Sequence, residues 1–298
     1  MRITNRMMAG GLLDDLDRVR ERMYRLETDI STGVWLHRPS DGPPEATSVM
    51  HYQEILARIR RYQTNMGDAR AWMTTSEKAV SDLIEIVHRA RELTIQGASD
   101  TSSVQSRESI RQEILQLRDY AIQVGNATYN GQYVFSGFAT DVPPFQVDGS
   151  GNVVYKGDTQ AIERDIGFGQ RMRVNILGSR IGGDPADPND VFVVLGAIAN
   201  SLSTGSSADL EPAIGQLENI LDRLLGVQAE LGARQRTLEL NEARMKDLEI
   251  TVEGQLEGTR GTDMEATIIN FNQIQRAYQV ALAMGARILP PTLIDFLQ

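Results

Sequence analysis

Cysteine is absent from the 298 residues, which removes disulfides, thiolate metal sites and cysteine nucleophiles and leaves the redox compartment unmarked. Proline is scarce: none falls between Pro44 and Pro143, or between Pro212 and Pro290, so very long helices are permitted. Aromatics make up only 6%, thin for several ordinary cores and more suited to few domains with much long helix. Basic charge is in deficit, with a formal net charge of −10, which argues against a nucleic-acid binder and against adsorption to anionic lipid. No apolar run approaches the roughly 20 residues of a membrane span. The opening MRITNRMMAGGLLDDLDRVRERM lacks the apolar stretch of roughly 7 to 15 residues found in a cleaved secretory signal. The expectation is a soluble chain that, if exported, leaves by a route needing no such signal.

What is abundant is helical periodicity. Leu12, Leu16, Val19, Met23, Leu26 and Ile30 step by four and three, the spacing of a heptad seam. A second stretch, from about Glu45 to Gln96, carries Ile59, Met66, Met73, Val80 and Val87 at sevens. Tyr62, Ala69, Leu83 and Ala90 fill the companion positions, and Ser76 is a polar exception. At 1.5 Å per residue it would run for ~75 Å. Ile110, Ile114, Leu117, Ala121, Val124 and Thr128 mark a third helix, ending at the Asn130-Gly131 turn signal.

Between Gly137 and about Gly205 the helical pattern disappears and proline and glycine become frequent. FQVDGSGNVVYKG reads as two short strands around a turn and RMRVNILG as another strand. Such a module is small for an independent core and is expected to lean on its neighbours. Helix resumes from about Asp209 to Glu257 with Ile220, Leu224, Val227, Leu231, Leu238, Met245, Leu248 and Val252 on the seam, and Arg234 and Asn241 as polar interruptions that fix register. A last helix begins at Thr262-Asp263, with Thr262 as N-cap and Glu265 completing a capping box. Its seam is Phe271, Ile274, Tyr278, Ala281, Gly285 and Ile288, and Pro290-Pro291 interrupts it. The expected fold class is mainly α with an inserted β-rich domain, built on long antiparallel coiled-coil-like helices with the N and C termini paired.

Catalytic patterns are sparse. His51 and His88 lie too far apart on one helix to share a ligand face and belong to no H-E-x-x-H pattern, so solvated helix-surface histidines are the better reading. DGSGN at Asp148 to Asn152 has Val153 and Thr159 where a calcium loop needs glycine and glutamate, and reads as a hairpin turn. GFGQR lacks the third glycine of a dinucleotide site. DPADPND, Asp184 to Asp190, reads as a solvated loop between prolines. No catalytic, cofactor or metal site emerges. The apolar seams are more numerous than one short chain needs for a core, which favours pairing of at least the terminal stripes with neighbouring subunits over complete burial inside a monomer.

One segment stands apart. STGVWLHRPSDGPPEA joins the first two helices: Gly33 can end one as a C-cap, Arg38-Pro39 forces extended backbone, and Ser40 or Asp41 with two prolines turns into the next. Gly33, Trp35, Arg38, Pro39, Ser40 and Asp41 therefore read as a hinge, with Trp35 and His37 as anchors rather than reactive groups.

Taken in order, MRITNRMM, this joint, NATYNGQYVFSGFATDVPPF, the YKGD strand and DMEATIINFNQIQRAYQVALAMGARILPPTLIDFL resemble the hook-filament junction family of the flagellin superfamily, the hook-associated protein 3 or FlgL family. The likeness covers both termini and the start of the insertion; the rest fits by layout. It implies a non-enzymatic structural adaptor of the bacterial flagellum, without cofactor or metal, located extracellularly at the hook-filament junction. It implies export through the type III apparatus and a FlgN-like chaperone on the C-terminal helix, for which Phe271, Ile274, Tyr278 and Leu282 are candidates. It also implies a ring of about eleven copies between the other hook-associated junction protein (FlgK) and flagellin, with no nucleic-acid or membrane partner.

The implied division is a terminal coiled-coil assembly domain at 1–40 and 258–298, disordered in the monomer and forming an inner tube, a helical rod at 41–136 and 206–257, and an outer β-rich domain at 137–205. The assembly interface would then be Leu12, Leu16, Val19, Met23, Leu26, Ile30, Phe271, Ile274, Tyr278, Ala281 and Ile288. The family usually has a basic residue after STG and an aspartate pair in PSDDP, where this chain has Val34-Trp35 and Asp41-Gly42. A flagellin, the filament subunit, is the alternative, but flagellins usually begin with an INTN-like string and end in a leucine-arginine motif, unlike MRITN and LIDFLQ here. A cytoplasmic coiled-coil scaffold would have no reason to carry the β insertion.

Overall fold

The computed structural model describes residues 5–99, 103–182, 187–204 and 209–288, and the chain divides into two compact units, 1–57 with 248–298 and 58–247. The helices are α1 (Asn5–Thr32), α2 (Pro43–Ala98), α3 (Val104–Gly125), α4 (Gly178–Ile181), α5 (Val191–Thr204), α6 (Leu210–Arg260) and α7 (Met264–Ile288). Between α3 and α4 lie three antiparallel hairpins: β1 (Thr128–Tyr129) with β2 (Gln132–Tyr133), β3 (Phe145–Val147) with β4 (Val153–Tyr155), and β5 (Glu163–Gly167) with β6 (Gln170–Arg173). The Pro290-Pro291 interruption, the tail after it and the first four residues lie outside the described residues.

In the 58–247 unit the heptads of α2 and α6 are the core. Ile59, Met66, Met73, Val80 and Val87 are buried on α2, as are Ile220, Leu224, Val227, Leu231, Leu238 and Met245 on α6. The helices run antiparallel: Arg70 pairs with Glu242, Gln235 donates to Glu77 at 2.8 Å, and Arg91 donates to Glu218 at 2.7 Å, so positions rise along α2 as they fall along α6. The polar exception Ser76 is buried because its hydroxyl donates back to Trp72 O at 3.0 Å, which satisfies it without a partner helix. α3 starts on a Ser103 N-cap that accepts from Ser106 N and is tied to α2 by Arg89 and Glu113, 2.7 Å apart. It ends at Gly125 rather than Thr128, because Asn126 closes it and its carboxamide exchanges hydrogen bonds with the backbone of Phe145 at 2.8 and 3.0 Å.

The hairpins follow their turn residues. Asn130 and Gly131 take φ of 50° and 78° in the β1–β2 turn, the left-handed pair that a two-residue hairpin requires. The Asp148 carboxylate accepts from Ser150 N and Asn152 N in the β3–β4 turn. The hairpins lean on the long helices: Phe168 meets Tyr62 edge-on at 5.3 Å and Tyr129 meets Trp72 at 6.1 Å. Arg234 of α6 donates to the carbonyls of Arg173 and Asn175 and pairs with Glu230, which also holds Arg180. The polar interruption at Arg234 thus fastens the insertion to α6 instead of setting helix-to-helix register. Asn241 spends its amide on Thr237 O within α6.

Two expectations for the insertion are corrected. Helical periodicity does not vanish throughout it, since Val191–Thr204 forms α5; Val191, Phe192, Val194, Leu195, Ile198, Ala199 and Leu202 are buried, and a helix hydrophobic on most sides shows little amphipathic pattern. Nor is the acidic loop before it solvated where the structure describes it. Asp187 pairs with Arg223 at 3.0 Å, and Asp190 is buried, capping α5 by accepting from Phe192 N and Val193 N at 2.8 and 3.0 Å; Asp184 lies outside the described residues.

Burial raises the Asp190 carboxyl from 3.8 to about 6, against the lowering effect of those amides and of Arg223. The folded value lies above the unfolded one, so the folded chain holds this proton more tightly. The contribution is most favourable below about pH 4 and is lost as pH rises through about 6. Asp190→Asn keeps an acceptor for the amides and removes the buried charge. Relative to the parent chain it is expected to gain about 1–2 kcal/mol at pH 7.5 and little at pH 4, read as the difference between paired urea melts; a gain independent of pH would refute the assignment.

Candidate functional site

The 1–57 and 248–298 unit contains every position that the sequence marks as interface or hinge. α1 and α7 pack antiparallel, with Leu12 against Gly285 at one end, where a Cβ on the glycine would stand 2.7 Å from the leucine Cδ2. At the other end the chain crosses itself at Gly33 and Thr262. Leu12, Leu16, Val19, Met23, Leu26 and Ile30 are each half-buried, as are Phe271, Ile274, Tyr278 and Ala281. Ile288 is the last residue of α7, and its side chain lies outside what the structure describes.

Half-burial is what two helices alone can achieve: each hides one stripe against the other and leaves its flanks in water. Those flanks are apolar here. Leu13 and Tyr24 on α1 are exposed, as are Ile269, Val280, Leu282 and Met284 on α7. At 100° per residue, Ile269 and Val280 fall on the side of α7 away from the α1 seam, and Met284 falls on its flank. Surplus apolar surface on both members of a pair is what an interaction surface looks like.

The joint is a stitched crossing. Gly33 turns with φ +69°, its N–H donating to Asp29 O at 2.9 Å, the left-handed C-cap that favours glycine. Val34 then forms an antiparallel bridge with Gly261: Trp35 N donates to Arg260 O and Thr262 N to Gly33 O, both at 3.0 Å. The Trp35 indole adds a third bond, Nε1 to Thr259 O at 3.1 Å. His37 Nε2 donates to Asp29 Oδ1 at 2.8 Å, and that aspartate is buried. Arg38, Pro39 and Ser40 are exposed. Arg38 and Asp41 close a turn on each other, Arg38 N to Asp41 Oδ2 at 2.8 Å and Asp41 N to Arg38 O at 2.9 Å, before Pro43 and Pro44 open α2, where missing N–H groups cost least. Beyond the crossing, Leu56, Val252 and Leu256 form a small buried cluster.

The two departures at the joint are one feature. Gly42 is buried beneath the Trp35 ring: a Cβ there would stand 2.8 Å from Trp35 Cη2, 2.7 Å from Glu45 Oε2 and 3.3 Å from Leu36 Cδ1. The flexible carboxylate can move, whereas the indole is held by its hydrogen bond. A tryptophan at 35 therefore demands glycine at 42, and an aspartate could not be accommodated without displacing the ring.

Asp29 carries no local signal for its bond to His37, and the 259–262 segment finds its partners more than two hundred residues away. The cap of α7 also moves by one residue. Asp263, not Thr262, is the N-cap, its Oδ1 accepting from Ala266 N at 3.1 Å, while the Thr262 hydroxyl pairs with that of Thr267. α6 continues through Gly254 and Gly258 to Arg260.

A paired-end unit, a helical unit with antiparallel α2 and α6, and hairpins inserted between α3 and α6 make a flagellin-like fold. The model of the bacterial flagellin N-terminal helical region matches residues 3–140. Flagellar hook-associated protein 3 of Escherichia coli is 24% identical over 303 aligned residues, covering 94% of this chain and 95% of that one. Among solved structures, one assigned to the flagellar hook-associated proteins of Vibrio parahaemolyticus superposes with a TM-score of 0.70 at 20% identity, over 74% of this chain and all of the other. FlgL of Bacillus cereus superposes at 0.60 and 20% identity, over 70% and 99%. The chain resembles flagellin-type flagellar proteins, and its full-length likeness is to flagellar hook-associated protein 3, FlgL.

The Trp35–Gly42 coupling is open to a double-mutant cycle. Gly42→Ala is expected to cost about 1–3 kcal/mol in urea melts, as overpacking does, and distinctly less in a Trp35→Ala background. Equal costs in both backgrounds would show that the ring does not set the constraint.

Proposed function

We propose that this chain is the structural adaptor of the hook-filament junction: copies of it form a ring, on the order of eleven subunits in a closed heterologous arrangement, that links the other hook-associated protein layer to the flagellin filament outside the cell. The observation that carries this reading is the terminal pair, which hides one stripe and presents a second apolar surface along α1 and α7. Packing that surface against neighbouring copies, FlgK and flagellin removes it from water, and association then offsets the entropy of ordering the ends. Residues 1–40 and 258–298 form the assembly domain in this reading, 41–136 and 206–257 the helical rod, and 137–205 the outer β-rich domain. The role is mechanical, and the joint carries load between terminal helices and rod.

Before assembly the same surface needs shielding, which is the part we assign to a FlgN-like chaperone and to export through the type III apparatus. Of the four candidate chaperone contacts, Phe271, Ile274 and Tyr278 are half-buried against α1 while Leu282 is exposed. A chaperone taking all four would therefore compete with α1 for the α7 stripe.

Ile269 is 57% exposed and points away from the α1 seam, so Ile269→Asp tests assembly without touching the pair. Cells carrying it, like cells lacking the gene, are expected to build hooks and shed flagellin into the medium, while the purified variant keeps its helicity. Filament attachment at normal levels would sink the proposal. Phe271→Asp and Ile274→Asp are expected to abolish attachment with the 58–247 unit still folded. Trp35→Ala should lower filament retention under shear without changing the monomer's circular dichroism, and unaltered retention would count against a load-bearing joint.

A further inference from the structure

Within the 58–247 unit, α3, the β3–β4 turn and α5 surround an open cavity of about 790 Å3, lined among others by Leu115, Arg118, Asn152, Phe192, Gly196 and Asn200. Nothing in the assembly reading uses it. Its charged side chains are Arg118 and Asp148, and only one is committed: the Asp148 carboxylate already accepts from Ser150 N and Asn152 N at 2.9 and 2.8 Å. Arg118 is different. Its side chain is 21% exposed, and its Nε is buried without an acceptor. The carboxylate nearest to it, on the adjacent Asp119, stands 3.9 Å away and is itself largely in solvent. The guanidinium lies over α5 at Gly196, where a Cβ would approach Nη1 to 3.6 Å, so a larger residue there would begin to cover it. A buried N–H that has lost hydration without gaining an acceptor is costly, and such a group in a folded protein calls for a ligand that supplies the missing acceptor.

The rest of the wall narrows the ligand. Ser150, Asn152 and Asn200 bring neutral hydroxyl and carboxamide groups, and Leu115, Val153 and Phe192 bring apolar surface. Among the described residues, no lysine or second arginine lines the cavity. The N-terminal amides of α5 that border it, those of Phe192 and Val193, are capped by Asp190. One planar guanidinium matches one carboxylate through paired hydrogen bonds, whereas a phosphate dianion would find no second cation and would face Asp148. The volume falls within the range of roughly 300–1,000 Å3 for small-ligand sites. We propose that this cavity binds a small hydroxylated carboxylate of the uronic-acid class, with its carboxylate on Arg118 and its hydroxyls toward Asn152 and Asn200.

The test is a titration of glucuronate into the isotope-labelled full-length chain at low salt, followed by the backbone amide shifts of 150–153 and 196–200. The expected result is a saturable response with Kd in the millimolar range, weakened at least roughly tenfold by Arg118→Gln and only partly by Arg118→Lys. Glucose, which lacks the carboxylate, and inorganic phosphate should each bind at least roughly tenfold more weakly than glucuronate. Should Arg118→Gln fail to fold, Asn200→Ala provides the second reading: it should weaken glucuronate and leave the weaker response to acetate unchanged. The proposal is overturned if glucuronate gives no saturable shift, if Arg118→Gln in a folded chain or Asn200→Ala leaves its affinity intact, if glucose or phosphate binds as well, or if a glutamate-rich peptide binds the cavity more tightly than glucuronate does.

Discussion

An amphipathic helix cannot hide its own apolar stripe, and this constraint organises the whole chain. α2 and α6 meet it internally, because each carries heptads long enough to bury Met66, Met73, Val80, Leu224, Leu231 and Leu238 to completion. α1 and α7 meet it only in part. They hide one stripe against each other, and their remaining apolar flanks, with Tyr24 and Ile269 among them, are left facing water. The same sequence device therefore yields a closed core in one unit and an unsatisfied surface in the other. In the proposed assembly, association of copies is what would remove that remainder from water.

Around this frame, polar groups do the fastening. At the joint, three hydrogen bonds between residues 33–35 and 259–262 hold together segments far apart in sequence, and the bond from His37 to the buried Asp29 ties the last turn of α1 to the chain that leaves it. In the insertion, Arg234 and Glu230 of α6 hold the loop after β6 and the short α4. Hairpins of two to five residues have no core of their own, so their position depends on such ties and on Phe168 and Tyr129 lying against α2.

Most of the helical architecture was legible from spacing, since heptads survive without any knowledge of the partner. Turn chemistry was legible too: Asn130-Gly131 and the Asp148 turn behave as their residues require. Three things were not. α5 escaped notice because a helix buried on most sides has no polar face to give it a period. Asp190 looked solvated because a proline-flanked acidic string carries no sign of the helix it caps. Arg234 and Asn241 resembled register-setting interruptions alike, yet one reaches the insertion and the other bonds within its own helix.

Local pattern determined the seams, the left-handed turn at Gly33, the long proline-free helices and the paired-end layout, because periodicity and backbone sterics act between near neighbours. Tertiary structure alone decided what each exceptional residue is for. That Gly42 answers to Trp35, that the indole reaches Thr259, and that the Arg118 Nε is buried without a hydrogen bond beside a cavity all depend on groups brought together by folding. Such meetings depend on the packing of whole helices, which no window of adjacent residues contains.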